Sequence, residues 1–396
     1  MAPRPLAGRG HSRGGGLRAL AERVEAATPE HRDRAVDALR AFGILGVVLG
    51  HWLVTALVPA GAADGSTHWN VRSPLAFMPW LAPVSWVLQT LALFFFVGGY
   101  AAARSLGRRS PGGWVRGRLE RLVRPAAVLV AAWIPLTIVL IAAGVDPEPL
   151  VRLMLSPLWF LCVFTGMTAL TPLLARFGPY AAAVAAGTVA CTDLVRFGLH
   201  GPAWVGWINV PAGWAVPYLL GIAWAKGGLG SRRTAVALLA GGTAATVALV
   251  TLAGYPASMV GVPGAPVSNL SPPTSAAVAF GLAQVGAALL LRDRLARWMR
   301  RPLAWLPVAL ANLSAMTVFC WHQTAFMLTT VVTLPFGALP GLHDLPGDWT
   351  WVAARAVWLP VFAVVLAGCR AIFWRFESPR RRGLAAPGLG AGRDAA

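Results

Sequence analysis

The first long apolar segment of the chain carries two ionisable side chains, Arg40 and His51, eleven residues apart. Eleven residues make about three helical turns, so a helix would place both side chains on one face, about 16 Å apart. An imidazole titrates near neutral pH and can act as a general base, whereas a guanidinium keeps its charge. Asp37 precedes Arg40 by one turn, close enough to pair with it. The spacing predicts a catalytic pair. The alternative is that Arg40 reaches the lipid headgroups and that His51 is a hydrogen-bonded residue of the core, because the same spacing would occur in that case.

A second histidine, His322, lies in a later apolar segment beside Gln323 and after Asn312 and Ser314. Ionisable groups at membrane depth are costly and are by default functional hypotheses. We expect His322 to move a proton or to hold a substrate, with a hydrogen bond between helices as the alternative. The other histidines fall in tails or loops and are expected at the surface: His11, His31, His68, His200 and His343.

A run of arginines from Arg104 to Arg124 separates the second and third apolar segments. Arg118, Arg121 and Arg124 adjoin the third segment. Guanidinium groups bind phosphate with two parallel hydrogen bonds, so these three residues are candidates for an anionic ligand. Lipid headgroups and membrane orientation need the same charges, and that alternative stays open.

The composition indicates what kind of secondary structure holds these residues. Of 396 residues, 57% are hydrophobic and 12% are charged, against about 45–50% and about 25% in soluble domains. This excludes an ordinary soluble enzyme and indicates an all-α integral membrane protein with about ten transmembrane helices. The expected spans are 36–57, 81–102, 125–144, 158–175, 179–195, 203–225, 235–254, 275–291, 310–333 and 351–374.

The net charge of +19 is assigned to loops between the spans, and no nucleic acid partner is expected. With ten spans, nearly all arginines fall in alternate loops and in both tails, which predicts cytosolic N- and C-termini. Residues 1–32 and 379–396 are predicted to be disordered tails around a membrane domain at 33–378. The four cysteines are scattered, without metal-binding spacing, so no metal site is expected.

Six motifs, in this order along the chain, resemble those of the membrane-bound acyltransferase-3 family. Gly98 stands where that family commonly has Ser, Ser156 where it often has His, and no acidic residue follows Trp159 closely. The stretch 268–274 with Gln284 resembles an actinobacterial branch. The six motifs are Arg40-x10-His51 after Asp37, Phe94-Phe95-Phe96-Val97-Gly98-Gly99-Tyr100, Arg118-x-x-Arg121-x-x-Arg124-Pro125, Leu158-Trp159-Phe160-Leu161, Trp321-His322 and Phe376-Glu377-Ser378-Pro379.

The resemblance implies a multi-pass enzyme of a bacterial plasma membrane that moves an acyl group from acyl-CoA to a hydroxyl of a glycan, glycolipid or natural product. Acyl-CoA would be a co-substrate, and no tightly bound cofactor is expected. Acyl transfer to an alcohol needs a base and a donor for the developing oxyanion. The implied catalytic residues are His51, Arg40, His322 and Asp37, and Arg118, Arg121 and Arg124 would bind the CoA phosphates.

Two other functions fit the same residues. Buried His and Arg also line translocation paths, so the chain could be a transporter or flippase of a lipid or glycan without acyl transfer. The missing acidic residue after Trp159 would also suit a membrane scaffold whose catalytic residues have degenerated.

Overall fold

The computed structural model describes residues 14–61, 67–107 and 110–377, and most of this part of the chain is helical. The expected all-α, multi-pass architecture is confirmed. The helices are α1 (Gly14–Ala26), α2 (Arg34–Val54), α3 (Pro74–Phe77), α4 (Ala82–Leu88), α5 (Leu91–Leu106), α6 (Pro111–Ala142), α7 (Glu148–Leu155), α8 (Leu158–Leu174), α9 (Tyr180–Asp193), α10 (Asn209–Ala225), α11 (Arg232–Leu252), α12 (Ser275–Trp298), α13 (Pro302–Leu313), α14 (Ala315–Thr333) and α15 (Trp349–Phe373).

Nine helical stretches of the described chain are long and apolar enough to cross a membrane. Helix α13 and the stretch Ala315–Phe336 meet the same criterion together but are bent by 76° at the break between them. Counting the bent pair as one span gives the ten that the sequence predicts. The span predicted at 310–333 contains a break at Ser314, which separates α13 from α14.

The break leaves backbone N–H groups without helical partners, and a distant carboxylate satisfies them. Glu377 accepts hydrogen bonds from the backbone nitrogens of Met316 at 2.9 Å and Thr317 at 3.1 Å. Carboxylates stabilise helix N-termini because the first N–H groups point at them. Ser314 accepts a further hydrogen bond from the Arg370 guanidinium. The C-terminal end of the described chain thus fixes the start of α14.

Helix α2 lies at the centre of the bundle and packs against α5, α12, α13 and α14. Its small residues allow this approach: a Cβ at Gly46 would lie 2.5 Å from the Thr90 hydroxyl oxygen. That hydroxyl donates to the Gly43 carbonyl at 2.7 Å. The indole of Trp52 donates to the His322 carbonyl at 2.9 Å. These contacts set the register of α2 against α5 and α14.

An antiparallel hairpin follows α2 directly. Strands β1 (Ala56–Gly61) and β2 (Thr67–Arg72) pair with Leu57 opposite Val71. Helix α7 packs against β2. The hairpin and α7, together with residues from the loop 253–274, enclose the C-terminal end of α2.

The prediction of a disordered tail at 1–32 is wrong for residues 14–26, which form α1 and pack against α13. Next to this helix, the Arg34 guanidinium pairs with Glu25 at 2.7 Å. Trp305 donates to the Thr28 hydroxyl at 2.9 Å. The Gly- and Arg-rich composition of this segment gave no indication of an apolar contact, yet Ala21 is almost completely buried. Residues 1–13 and the predicted tail 379–396 lie outside the described residues.

Candidate active site

Two histidines from different spans meet inside the bundle. His51 Nδ1 lies 3.0 Å from His322 Nε2, and the ring centroids are 4.9 Å apart. His51 comes from the last turn of α2, and His322 lies in the first half of α14. The Trp52 indole next to His51 also donates a hydrogen bond to the His322 backbone carbonyl, so a second contact between α2 and α14 keeps the two histidines together. The sequence singled out both residues but could not place them in contact.

Backbone carbonyls fix the tautomers of the pair. His322 Nδ1 lies 2.7 Å from the Phe319 carbonyl oxygen, which can only accept, so Nδ1 carries the proton and Nε2 has a lone pair. His51 Nδ1 lies 2.9 Å from the Val47 carbonyl oxygen and faces that lone pair. It therefore carries its own proton and donates. The other ring nitrogen of this residue, His51 Nε2, keeps a free lone pair and is the basic atom of the histidine pair.

A cavity of about 530 Å³ lies beside this pair, and we call it the histidine cavity. His51 borders it, together with Phe319 and Gln323 of α14. Much of its wall is apolar and aromatic, including Trp69 and Trp159. Pockets of this size and character bind small organic molecules.

A second and larger cavity of about 1530 Å³ lies towards the N-terminal end of α2, and we call it the basic cavity. Polar and charged side chains share its wall with aromatic ones, among them Tyr100 and Trp224. The arginines that line it are Arg32, Arg40, Arg104, Arg118, Arg121 and Arg292.

Acidic residues neutralise some of these arginines. Asp37 pairs with Arg32 at 2.5 Å and with Arg40 at 2.9 Å. Arg40 also donates to the Asn312 amide oxygen at 3.3 Å, and Asn312 in turn donates to the Asp37 carbonyl at 2.8 Å. The predicted Asp37–Arg40 pair is present. It belongs to a network that includes Arg32, which the sequence did not single out.

Asp33 forms the second neutralised site in the basic cavity. It accepts from Arg292 at 3.2 Å and from the Tyr100 hydroxyl at 3.2 Å. Asp33 also caps α2 through the Val36 backbone nitrogen. Its carboxylate therefore ties α2, α5 and α12 together at the cavity wall.

Three arginines of the basic cavity make no ion pair with a carboxylate within the described ranges: Arg104, Arg118 and Arg121. Arg118 donates to the Ser105 hydroxyl at 2.7 Å and stacks over Trp114. Arg118 and Arg121 lie on α6, whose helix starts at Pro111 rather than near 125 as the predicted third span did. These guanidinium groups give the cavity its capacity for an anion.

Arg124 is placed differently from its predicted partners. It does not line the basic cavity, and its guanidinium carbon lies 6.0 Å from the centroid of the Phe376 ring. The structure therefore groups Arg118 and Arg121 but separates Arg124 from them.

The two cavities lie at opposite ends of α2. Arg40 lines the basic cavity and His51 lines the histidine cavity, with about 16 Å of helix between them. Phe319 borders both cavities, and its ring centroid lies 5.5 Å from that of Phe160. The shared helix face was predicted, but Arg40 and His51 are not neighbours in one site.

Other histidines test the expectation that loop residues are exposed. His31, His68 and His200 are exposed, whereas His343 is buried with 3% exposure, so that prediction is wrong. His343 Nε2 lies 2.8 Å from the Thr330 carbonyl oxygen, and the Leu339 nitrogen donates to Nδ1 at 3.1 Å. These two bonds satisfy the ring and fold the loop back onto α14. His11 lies outside the described residues.

The family model of the acyltransferase-3 family, described as an acyltransferase domain, matches residues 33–374. The match includes α2, both histidines and nearly all of the wall of each cavity. No curated protein and no solved structure matches the chain.

Proposed function

The chain belongs to the acyltransferase-3 family and is a membrane acyltransferase; we propose that it moves an acyl group from acyl-CoA to a hydroxyl group. The observation that carries the proposal is the arrangement of a histidine pair with a free basic nitrogen next to a cavity for an organic molecule. The proposed acceptor is a glycan, a glycolipid or a hydroxylated natural product, and the proposed location is a bacterial plasma membrane.

The basic cavity would bind the nucleotide end of acyl-CoA. Its volume of about 1530 Å³ is ample for a large cofactor-like molecule, and Arg104, Arg118 and Arg121 have no carboxylate partner among the described residues. Guanidinium groups without such a partner are available to bind phosphates. Because Phe319 borders both cavities, the acyl arm would pass this ring to reach His51.

The histidine pair supports general base catalysis in this scheme. His51 Nε2 takes the hydroxyl proton while the acceptor oxygen attacks the thioester carbonyl carbon. The resulting imidazolium keeps its Nδ1–H bond to His322 Nε2, which stabilises the positive charge. The C–S bond then breaks, and the proton on Nε2 passes to the sulfur of CoA. The base is restored, and no other reactant is consumed.

A direct assay tests the reaction. Purified enzyme in detergent is given acetyl-CoA and a panel of hydroxyl compounds, including glycosides and glycerolipids, and free thiol is measured over time. We expect an acceptor-dependent release of CoA that is lost in His51→Gln. Transport of a compound from the panel by vesicles that contain the enzyme, without thiol release, would instead support the transporter alternative.

Donor binding can be measured without knowing the acceptor. Calorimetric titration with coenzyme A should show affinity lowered by about 10- to 100-fold in the double variant Arg118→Gln/Arg121→Gln, as expected for lost bonds between charged groups. The matched control is Arg232→Gln/Arg233→Gln, at the exposed start of α11 outside both cavities. Equal affinity in both double variants would exclude the basic cavity as the CoA site.

The proposed orientation places the basic cavity at the cytosolic face, where acyl-CoA is made, and both chain ends on that side. Cysteines are introduced at Gly112, at the start of α6, and at Gly264, in the loop that borders the histidine cavity; both positions are exposed. In a variant that lacks Cys162 and Cys191, which are exposed, the first should react with an impermeant thiol reagent only from the cytosol. The second should react only from outside. Labelling of both from one side would contradict this orientation.

A further inference from the structure

Gln323 is a buried amide without a hydrogen-bond partner, and it lines the same cavity as His51. The residue is 0% exposed, and neither its Nε2 nor its Oε1 makes a hydrogen bond. Among the described residues, no other amide side chain has both of its polar atoms buried and unpartnered. Burying an unsatisfied polar group destabilises a fold, so such a group is retained where a ligand completes its hydrogen bonds.

The surroundings of Gln323 show where that ligand lies. Gln323 lines the histidine cavity together with His51 and Phe319. Phe319 precedes Gln323 by four residues, so both project from one face of α14. His322, the next residue in the chain, points to His51 instead and does not line the cavity. Helix α14 therefore presents the partner of the base on one face and an unpartnered amide to the cavity on the next.

Other amides of the described chain differ from Gln323, because each of them makes at least one hydrogen bond or is not buried. Gln284 donates to the Gln89 carbonyl, and Gln89 accepts from the Leu91 nitrogen at 3.2 Å. Thr324, the neighbour of Gln323 on α14, accepts from the Trp133 indole at 3.0 Å. Gln284 Oε1 is itself unpartnered, but each of these neighbouring side chains makes at least one hydrogen bond, whereas Gln323 makes none.

We propose that Gln323 is a catalytic residue whose Nε2–H donates to the carbonyl oxygen of the acyl group as that oxygen becomes an oxyanion. This inference rests on the proposed acyl transfer. When the acceptor oxygen attacks the thioester, the carbonyl π electrons move onto this oxygen, and they return when the C–S bond breaks. Arg40 cannot take this role at His51, because about 16 Å of helix separates the two residues. The amide is neutral, so it would stabilise the anion without a buried charge in the resting enzyme.

The test compares Gln323→Met with Thr324→Val in detergent-solubilised enzyme, with acetyl-CoA as donor and thiol release as readout. Removal of one oxyanion donor typically lowers kcat by about 10²–10³-fold. We expect that loss in Gln323→Met, with the KM values for acetyl-CoA and for the acceptor unchanged. Thr324→Val should keep kcat close to the wild-type value.

Thermal stability separates this role from a structural one. Gln323→Met removes no hydrogen bond of the protein, so its melting temperature should equal or exceed that of the wild type. Thr324→Val leaves the Trp133 indole without its acceptor, so its melting temperature should fall.

Three results would overturn the inference: a wild-type kcat in Gln323→Met, a loss that appears only as a raised KM for the acceptor, and a lowered melting temperature in that variant. If the wild-type enzyme releases no thiol with any acceptor, the proposed acyl transfer itself fails. A wild-type kcat in Gln323→Met, by contrast, leaves acyl transfer standing and removes only the role of Gln323.

Discussion

The basic cavity and the histidine cavity differ in the charge and in the hydrogen bonding of the polar groups that line them. In the basic cavity, Asp33 and Asp37 each pair with arginines, and the cavity has a volume of about 1530 Å³. The histidine cavity is smaller, about 530 Å³, and its charged residues Arg72, Glu148 and Arg152 are exposed. Around His51 the polar atoms are uncharged, and those of Gln323 are unpartnered. The first arrangement suits binding of a multiply charged molecule, and the second suits chemistry at a neutral base.

Among the variants that distinguish the roles of the two cavities, we expect His322→Leu to have the largest effect on turnover. This change removes the His322 Nε2 acceptor of the His51 Nδ1–H bond and leaves only the Val47 carbonyl, so the imidazolium that forms during the reaction is less stabilised. We expect kcat to fall by about 10²–10⁴-fold, the range for loss of general base catalysis. The affinity for coenzyme A, measured by calorimetry, should not change, because His322 does not line the basic cavity. A parallel loss of coenzyme A affinity would contradict the separation of roles.

The ring between the cavities gives the next largest effect. Phe319→Trp should narrow the passage from the basic cavity to His51. Misplacement of reacting atoms by about 1 Å can cost about 10²-fold in rate, and we expect kcat for acetyl-CoA to fall by up to that factor. Coenzyme A binding should be retained. Unchanged turnover would show that the acyl arm reaches His51 by another route.

A smaller change is expected from Arg40→Lys. The lysine keeps the charge but cannot hold Asp37 and Asn312 with one planar group. We expect the KM for acetyl-CoA to rise about tenfold, as for one lost charge-assisted bond. Steady-state kinetics with His51 intact would check this value. A fall in kcat alone would assign Arg40 to the chemistry rather than to donor binding.

The smallest effect concerns a residue outside both cavities. Burial, followed by the charge of Asp193, raises the pKa of Tyr255 to about 12. In the unfolded chain this phenol has its ordinary pKa of 10.0. Its contribution to stability is therefore complete below that pH and is lost as pH rises towards 12.

Tyr255→Phe should remove this part of the alkaline destabilisation and lower stability at pH 7 by about 1 kcal/mol, because it loses the 3.0 Å bond to Asp193. Melting curves at pH 7 and above pH 10 measure both effects. Turnover at pH 7 should stay at the wild-type value.

Much of this molecule follows from the sequence because each part depends on local chemistry. The apolar segments predicted the spans, and the spacing of Asp37, Arg40 and His51 predicted their common face on α2. The contact between His51 and His322 depends on the packing of α2 against α14, which no local pattern encodes. The burial of His343 and the helix at 14–26 also arise from tertiary contacts. Gln323 stood beside His322 in the sequence, but only the cavity shows that its amide has no partner.

The division of roles between the cavities is tested most directly by steady-state kinetics of His51→Gln and Arg118→Gln/Arg121→Gln with acetyl-CoA. We predict opposite patterns. His51→Gln should lower kcat by about 10²–10⁴-fold at an unchanged KM for acetyl-CoA, whereas the double arginine variant should raise that KM with little change in kcat. Nearly full turnover in His51→Gln, or the same loss of kcat in both variants, would contradict a basic cavity that binds the donor and a histidine cavity that performs the transfer.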